Sequence, residues 1–191
     1  MNFSENREYW TNRRKKLGDG AVGRKGEDHV KQGLRIANHI VPCLEQRSSA
    51  NFPEHGLDFG CGYGRLTPYI AANCGHLWAA DIFDDWAMRA ASGHITVTPL
   101  VLKDFKLPFE DGAIDLIVDA MSTQGLDESA KKAVFKEFRR VARGGALVLS
   151  LSNEEPDWTR AMVWEGEPST WRVRDIDQAG DLYCLTAGCL L

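Results

Sequence analysis

The residues best placed to do chemistry are three glycines and a few acids near them. Gly60, Gly62 and Gly64 occupy alternate positions in LDFGCGYG, and Asp58 stands near the head of that string. Asp81 closes the apolar run HLWAAD, 17 residues past Gly64, and Asp104 follows in LKDFKLPFEDGAIDLIVDA. Three positions without side chains, in five residues after an apolar run, permit positive φ and a sharp turn. They also let a ligand touch the backbone. The spacing D-x-G-x-G-x-G is not the dinucleotide fingerprint G-x-G-x-x-G, because Arg65 stands where its third glycine belongs. No G-x-x-x-x-G-K-[ST] phosphate loop occurs in the chain.

Such a loop needs a strand before it and a helix after it. GLDF, 56–59, reads as a first strand, and RLTPYIAANCG as a helix in which Pro68 is tolerated early and Gly75 marks the stop. HLWAAD reads as a second strand, DDWAMRAASG as a short helix ending at Gly93, ITVTPL as a third strand and AIDLIVDA as a fourth. DESAKKAVFKEFRRVARGG predicts a helix capped by Asp127, with Ala130, Val134, Phe138 and Val141 on one face and Gly144 as a left-handed exit. ALVLSL is a fifth strand. WRVRDI and DLYCLTAGCLL, joined by DQAGD, pattern as an antiparallel hairpin.

Nearly continuous apolar strands alternating with helices predict an α/β fold. Its expected form is a doubly wound, mostly parallel seven-stranded sheet with helices on both faces and a C-terminal antiparallel hairpin. Ahead of the core, GDGAVGRKG separates a first helical stretch from a second, about Glu27 to Val41. There Val30, Leu34, Ala37 and Val41 form one buried face, and Pro42 ends or kinks the helix. The expectation is a single domain over 1–191: a helical cap over 1–50, a ligand-binding core over 51–152 and a closing segment over 153–191.

In a doubly wound sheet, ligands bind beyond the carboxyl ends of the strands, where strand order reverses. The residues that lie there in order, Asp58, Gly60, Gly62 and Gly64, then Asp81, Asp104 with Phe105, LPFEDGAIDLIV and FRRVARGGALVLSL, resemble the class I S-adenosylmethionine-dependent methyltransferases over about residues 52–152. The resemblance implies a Rossmann-like domain that binds S-adenosyl-L-methionine. It implies cofactor contacts from Asp58, Gly60, Cys61, Gly62, Gly64, Asp81, Ile82, Asp104, Phe105 and Asp119. Within that set Asp81 takes the ribose hydroxyls, Asp104 the adenine amino group, and Phe105 an apolar wall. Asp58 orients the loop or reaches the amino group of the methionine part. Asp81 also has the position of a helix N-cap, a job Asp84 does as well.

Methyl transfer is an in-line displacement in which the cofactor supplies the electrophile, so no catalytic residue is expected from the family alone. After the fourth strand DAMSTQG lacks the D/N-P-P-Y/F/W of amino-methylating nucleic-acid enzymes and holds no Pro-Cys pair. These absences point towards a small-molecule acceptor; Asp119, Ser122 and Gln124 are candidate contacts for it, or a polar loop that merely closes the fourth strand. Tyr9 and Trp10 can cover the acceptor or merely anchor a helix; Trp158 and Trp164 can line a pocket or sit in the core.

The wider composition fits this picture. The 191-residue chain is 43% apolar and 26% charged, with net charge −4. Residues 1–50 hold 10 Lys and Arg against 6 Asp and Glu, and the remainder 13 against 21. The basic run NRRKK, 12–16, keeps open an RNA or protein acceptor, and an intact site without turnover keeps open a cofactor-binding regulator. Five scattered cysteines without C-x-x-C spacing predict neither a disulfide framework nor a metal site. No apolar run is long enough for a membrane span and no leader stands at the N-terminus, so a cytoplasmic location without membrane association is expected.

Overall fold

A computed structural model describes residues 1–21, 29–50, 52–152, 171–179 and 182–189. The helices are α1 (Phe3–Leu17), α2 (His29–Ala50), α3 (Thr67–Ala71), α4 (Asp84–Ala91) and α5 (Glu128–Val141). The strands are β1 (His55–Phe59), β2 (His76–Asp81), β3 (Val97–Val101), β4 (Ile114–Ala120), β5 (Ala142–Ser152), β6 (Trp171–Ala179) and β7 (Leu182–Cys189). They form one seven-stranded sheet in the order β3-β2-β1-β4-β5-β7-β6. β1 to β5 pair in parallel, and β7 pairs antiparallel with both β5 and β6. The expected doubly wound sheet with a closing hairpin is therefore present. Strand order reverses between β1 and β4, which sets the carboxyl ends of both at the switch point.

Alternating residues of each strand feed two cores. On one face Leu77, Ala79, Leu116, Val118, Leu147 and Leu149 pack under Ile36 and Ile40 of α2, Ile70 of α3 and Ala87 of α4. On the other Leu57, Phe59, Ala80, Ile117 and Val148 meet Val134, Phe135 and Phe138 of α5. Asp127 caps α5 as expected, its Oδ1 accepting from the Ala130 N–H at 2.9 Å. Edge strand β3 carries Pro99, which removes a donor from the ladder and discourages further pairing.

Three local expectations fail in whole or in part. The second helix does not stop at Pro42: α2 runs to Ala50 with the proline inside it. Its buried face is also turned from the one read in sequence. Val30 and Leu34 are 71% and 51% exposed, while Gln32, Ile36, Ala37, Ile40 and Leu44 are buried. The cause is Gly33, where an added Cβ would stand 2.7 Å from the Arg65 carbonyl oxygen, so this side of α2 lies flat on the glycine loop. Gly144 is no helix exit: α5 ends at Val141 with an extended Ala142 (φ −70°, ψ 127°), and Gly144 lies within β5. The segment holding Trp158 and Trp164 lies outside the described residues, as does the end of DQAGD.

Candidate active site

A cavity of about 430 Å3 opens over the carboxyl ends of β1, β2, β3 and β4. Its floor holds Gly60 and Gly62 after β1, Asp81 and Ile82 at the tip of β2, and Leu102 and Phe105 after β3. α1 supplies Phe3, Asn6, Tyr9, Trp10 and Arg13, which share one helical face by their i, i+3, i+4 and i+7 spacing. α2 adds Gln32, Arg35 and Ile36, and the loop after β4 adds Met121, Ser122, Gln124 and Leu126.

The glycine loop is wound tightly on itself. Gly60, Gly62 and Gly64 have φ of 71°, 54° and 83°, a region closed to most side chains. The N–H groups of Gly60 and Cys61 both donate to the Ala80 carbonyl at 2.8 and 2.9 Å, and Gly64 donates to Cys61 O at 3.0 Å. The loop's donors are thus used internally, and the cavity meets bare α-carbons. A Cβ on Gly60 would lie 2.3 Å from the Ser122 Cβ, and one on Gly64 would lie 2.6 Å from the Ala90 Cα. Gly60 therefore lets the two switch-point loops touch, and Gly64 lets the loop rest on α4.

Asp81 organises this floor. Its Oδ2 accepts from the Gly62 N–H at 2.9 Å and its Oδ1 from the Phe83 N–H at 3.0 Å. Each carboxylate oxygen retains a lone pair, so both remain able to accept from a ligand in the cavity. Burial raises the Asp81 carboxyl to about 6, against the opposing pull of those N–H bonds. The N-cap alternative is answered as well. Phe83 occupies the cap position of α4 with no side-chain cap bond, and Asp84 instead accepts from the neighbouring Asp85 N–H at 2.8 Å.

Of the residues singled out in sequence, the structure brings Gly60, Gly62, Asp81, Ile82, Phe105, Tyr9, Trp10, Ser122 and Gln124 to this cavity. It does not bring Asp58, Cys61, Gly64, Asp104 or Asp119 there. Asp58 is 2% exposed and accepts from the Thr67 hydroxyl at 2.7 Å, tying β1 to α3. Its carboxyl is pushed up to about 7 by burial. The Cys61 thiol is buried under the loop, 3.6 Å from Gly62 O, and burial drives its ionisation well upward. Asp104 is exposed on the loop after β3 and accepts from the Lys106 N–H at 2.8 Å.

Asp119 is fully buried and knots the loop after β4. Its Oδ1 accepts from the Ser122 N–H at 3.0 Å and from the Ser122 hydroxyl, which also lies 3.0 Å from Phe59 O. Its Oδ2 accepts from the hydroxyls of Thr123 at 2.5 Å and Ser150 at 2.8 Å. Desolvation raises its carboxyl, and these donors oppose the rise. The knot forces Met121, on the cavity wall, to φ 68°. Such conformations in non-glycine residues cost free energy and gather at functional sites.

Asn6, Gln32, Arg35, Arg65, Trp86 and Met121 also line the cavity, and sequence reasoning did not single them out as site residues. The i, i+3, i+4 and i+7 spacing of Asn6, Tyr9, Trp10 and Arg13 was available, but it reads as an ordinary helix face until α1 is placed. The basic run is partly consumed in doing so. Arg14 forms two hydrogen bonds to the Asp85 carboxylate, one of 2.8 Å, and its guanidinium lies 5.3 and 5.5 Å from the Phe83 and Trp86 ring centres.

Among the described residues no group of three or more histidines, cysteines or acids is arranged to hold a metal, and no helix is long and apolar enough to cross a membrane. No curated protein sequence matches the chain. Solved structures do. A 1,6-didemethyltoxoflavin N1-methyltransferase from Burkholderia thailandensis, solved with 1,6-didemethyltoxoflavin and S-adenosylhomocysteine, has a TM-score of 0.73 at 15% identity, covering 100% of this chain and 91% of its own. A SAM-dependent methyltransferase from Aquifex aeolicus has a TM-score of 0.62 at 19% identity, covering 86% and 100%. The N-methyltransferase NodS from Bradyrhizobium japonicum has a TM-score of 0.60 at 17% identity, covering 81% and 96%. The model of the family described as "Methyltransferase domain" matches residues 57–149, the stretch from β1 to β5 that carries the cavity floor. Residues 57–149 thus match the model of a methyltransferase domain, and the sheet they build has the fold of these methyltransferase structures.

Proposed function

We propose that this chain transfers a methyl group from S-adenosyl-L-methionine to a small-molecule acceptor in the cytoplasm. The observation that carries the reading is α1 lying across the switch-point cavity. Its face of Phe3, Asn6, Tyr9, Trp10 and Arg13 roofs the floor built by Gly60, Gly62 and Asp81. A space of about 430 Å3 is of small-molecule size. Arg14, the middle of the basic run, is occupied with Asp85. The structurally similar 1,6-didemethyltoxoflavin N1-methyltransferase was solved with 1,6-didemethyltoxoflavin bound. The buried cysteines Cys61 and Cys74 are free thiols, which a reducing compartment keeps so.

The donor set fits the cofactor. A buried carboxylate at the tip of β2 with spare lone pairs suits a pair of ribose hydroxyls, and Ile82, Leu102 and Phe105 give an apolar bed for a purine. Bound there, S-adenosylmethionine supplies a methyl group activated on a sulfonium. The chain's own contribution is orientation and dryness. Asp81 fixes the sugar end, the Gly60–Ser122 contact sets the depth of the floor, and the aromatic face of α1 excludes water.

Incubation with methyl-labelled cofactor and a fractionated metabolite extract tests this. Label is expected in a small-molecule fraction. Label confined to RNA or protein overturns the acceptor class, and no labelled product across all three fractions overturns turnover itself.

A further inference from the structure

Asp119 is a buried carboxylate with a single way out to the cavity. Its Oδ1 accepts from the Ser122 N–H and hydroxyl, and its Oδ2 from the Thr123 and Ser150 hydroxyls. Among the described residues it pairs with no cation, and the charge that reaches it is that of another acid, Asp58 on β1. Thr123 and Ser150 are buried, whereas Ser122 is half-buried and lines the cavity. Of the groups bonded to Asp119, only Ser122 therefore reaches ligand space. Its Oγ lies 2.8 Å from where a Cβ on Gly60 would stand, directly beside the glycine loop. That hydroxyl also has two places for its one proton: Asp119 Oδ1, and the Phe59 carbonyl oxygen at 3.0 Å. With Asp119 charged, the hydroxyl donates to the carboxylate. With Asp119 protonated, the carboxyl donates to Oγ and the hydroxyl turns to Phe59 O. Ser122 and Asp119 are satisfied in both states.

We infer that Ser122 and Asp119 form a proton relay, in which Ser122 takes a proton from the methyl acceptor and Asp119 is the base that acts through it. The acceptor is then a molecule whose attacking atom carries a proton that has to leave, a hydroxyl or an acidic ring N–H. The inference rests on the methyl-transfer reading and narrows its acceptor. The acceptor's lone pair forms the new bond to the methyl carbon, and the bond from that carbon to the sulfonium breaks with its electrons on sulfur. The acceptor's proton passes to Ser122 Oγ as the Ser122 proton passes to Asp119 Oδ1. A buried carboxylate and a sulfonium are neutralised together, so neither charge is left unpaired in a low-dielectric site. Burial, which disfavours the charged carboxylate, lowers the cost of that proton's arrival.

Methyl-labelled cofactor and a metabolite extract, with wild type, Ser122→Ala and Asp119→Asn, test it across a range of pH. Ser122→Ala breaks the relay and leaves Asp119 its other donors. It is expected to slow labelling of the extract about a hundredfold at neutral pH, the scale of lost base catalysis. The loss shrinks as pH rises, because the acceptor then ionises unaided, and Asp119→Asn gives the same profile. S-adenosylhomocysteine binding to Ser122→Ala, by calorimetry, stays within about threefold of the wild type. Infrared spectra of the ligand-free protein give a readout without turnover. A protonated-carboxyl band that Asp119→Asn lacks is expected to be missing at pH 8 and to grow in as pH falls, while the protein stays folded. Labelling by Ser122→Ala within about threefold of the wild type overturns the relay. So does an Asp119 that takes no proton before unfolding, or that still holds one at pH 8. A loss in Ser122→Ala that is equal at every pH marks a structural serine and overturns it too. Label recovered as a quaternary ammonium or a sulfonium, whose parent atoms had no proton to give, overturns the acceptor class and the relay. A wild type that labels nothing fails differently: it removes methyl transfer itself, and the relay falls with it.

Discussion

At Asp81 one side chain does two jobs that pull in opposite directions. It is buried where it holds the Gly62 and Phe83 amides, and in the proposed function it must stay charged to accept from a sugar. Burial raises its carboxyl to about 6, so the charged form prevails at neutral pH by a modest margin. Protonation turns one acceptor oxygen into a donor and removes the charge that strengthens the bonds. Affinity for S-adenosylhomocysteine is thus expected to hold above neutral pH and to fall as pH drops through about 6. Asp81→Ala is expected to cost about 1–3 kcal/mol of binding at pH 8 and to flatten the pH dependence between 5 and 8. Calorimetry at several pH values measures both. An alanine variant that binds like the wild type and keeps the same pH profile would place the sugar elsewhere.

At the level of elements, the site exists because two loops from different strands touch. The turn after β1 and the turn after β4 meet at Gly60 and Ser122, and Asp119 clamps the second turn from beneath. Gly60→Ala faces two separate costs: a methyl 2.3 Å from the Ser122 Cβ, and a φ of 71° that alanine resists. The clash is expected to destabilise the protein by about 1–3 kcal/mol and to weaken cofactor binding. Pairing it with Ser122→Gly removes the clash, leaves the φ penalty and gives up the Ser122 hydroxyl bonds to Asp119 and Phe59, so the double variant should cost less than the sum of the two single ones. Urea unfolding of the four proteins decides it, and full additivity of the two substitutions would mean that the loops do not press on each other.

The same contact marks how far sequence reasoning reaches. The parallel core was legible because its strands are near-continuous apolar runs and its turns carry glycine, and because Asp127 sits where a cap must be. Gly60, Gly62 and Asp81 could be placed at the cavity floor from sequence because few structures other than a ligand loop need those types at that spacing. Asp58 and Asp119 do not line the cavity, and nothing local in the sequence distinguishes an acid that faces a cavity from one that bonds Thr67 or ties down its own loop. The face of α2 was misread for a similar reason. Apolar spacing favoured Val30 and Leu34, but Gly33 brings the other side of the helix onto the Arg65 carbonyl. Which residues of α1 line the site depends on where that helix docks, and Asn6 carries no mark of it in sequence.

Across the whole molecule, buried carboxylates collect where the sheet reverses, and the ligand-free protein bears their cost. Asp58 is the extreme case. It is enclosed beneath the glycine loop, holds one hydroxyl bond from Thr67, and is pushed by burial from 3.8 up to about 7. The sign of its effect follows from proton counting. Between those two values the folded chain keeps this proton and the unfolded chain has lost it. The contribution to stability is therefore fully present below pH 3.8, declines as pH rises, and is lost above about 7. An asparagine at 58 can still accept from Thr67 through its amide oxygen but never ionises. Asp58→Asn is thus expected to match the wild type at pH 4, to exceed it at pH 8 by on the order of a few kcal/mol, and to reduce the slope of stability between them. Urea unfolding of the ligand-free protein at pH 4, 6 and 8 gives all three comparisons. The difference between the two proteins isolates Asp58 from every other titrating group. A variant less stable than the wild type at pH 8 would mean that the folded chain holds Asp58 as a stabilised anion, with a donor to it beyond Thr67.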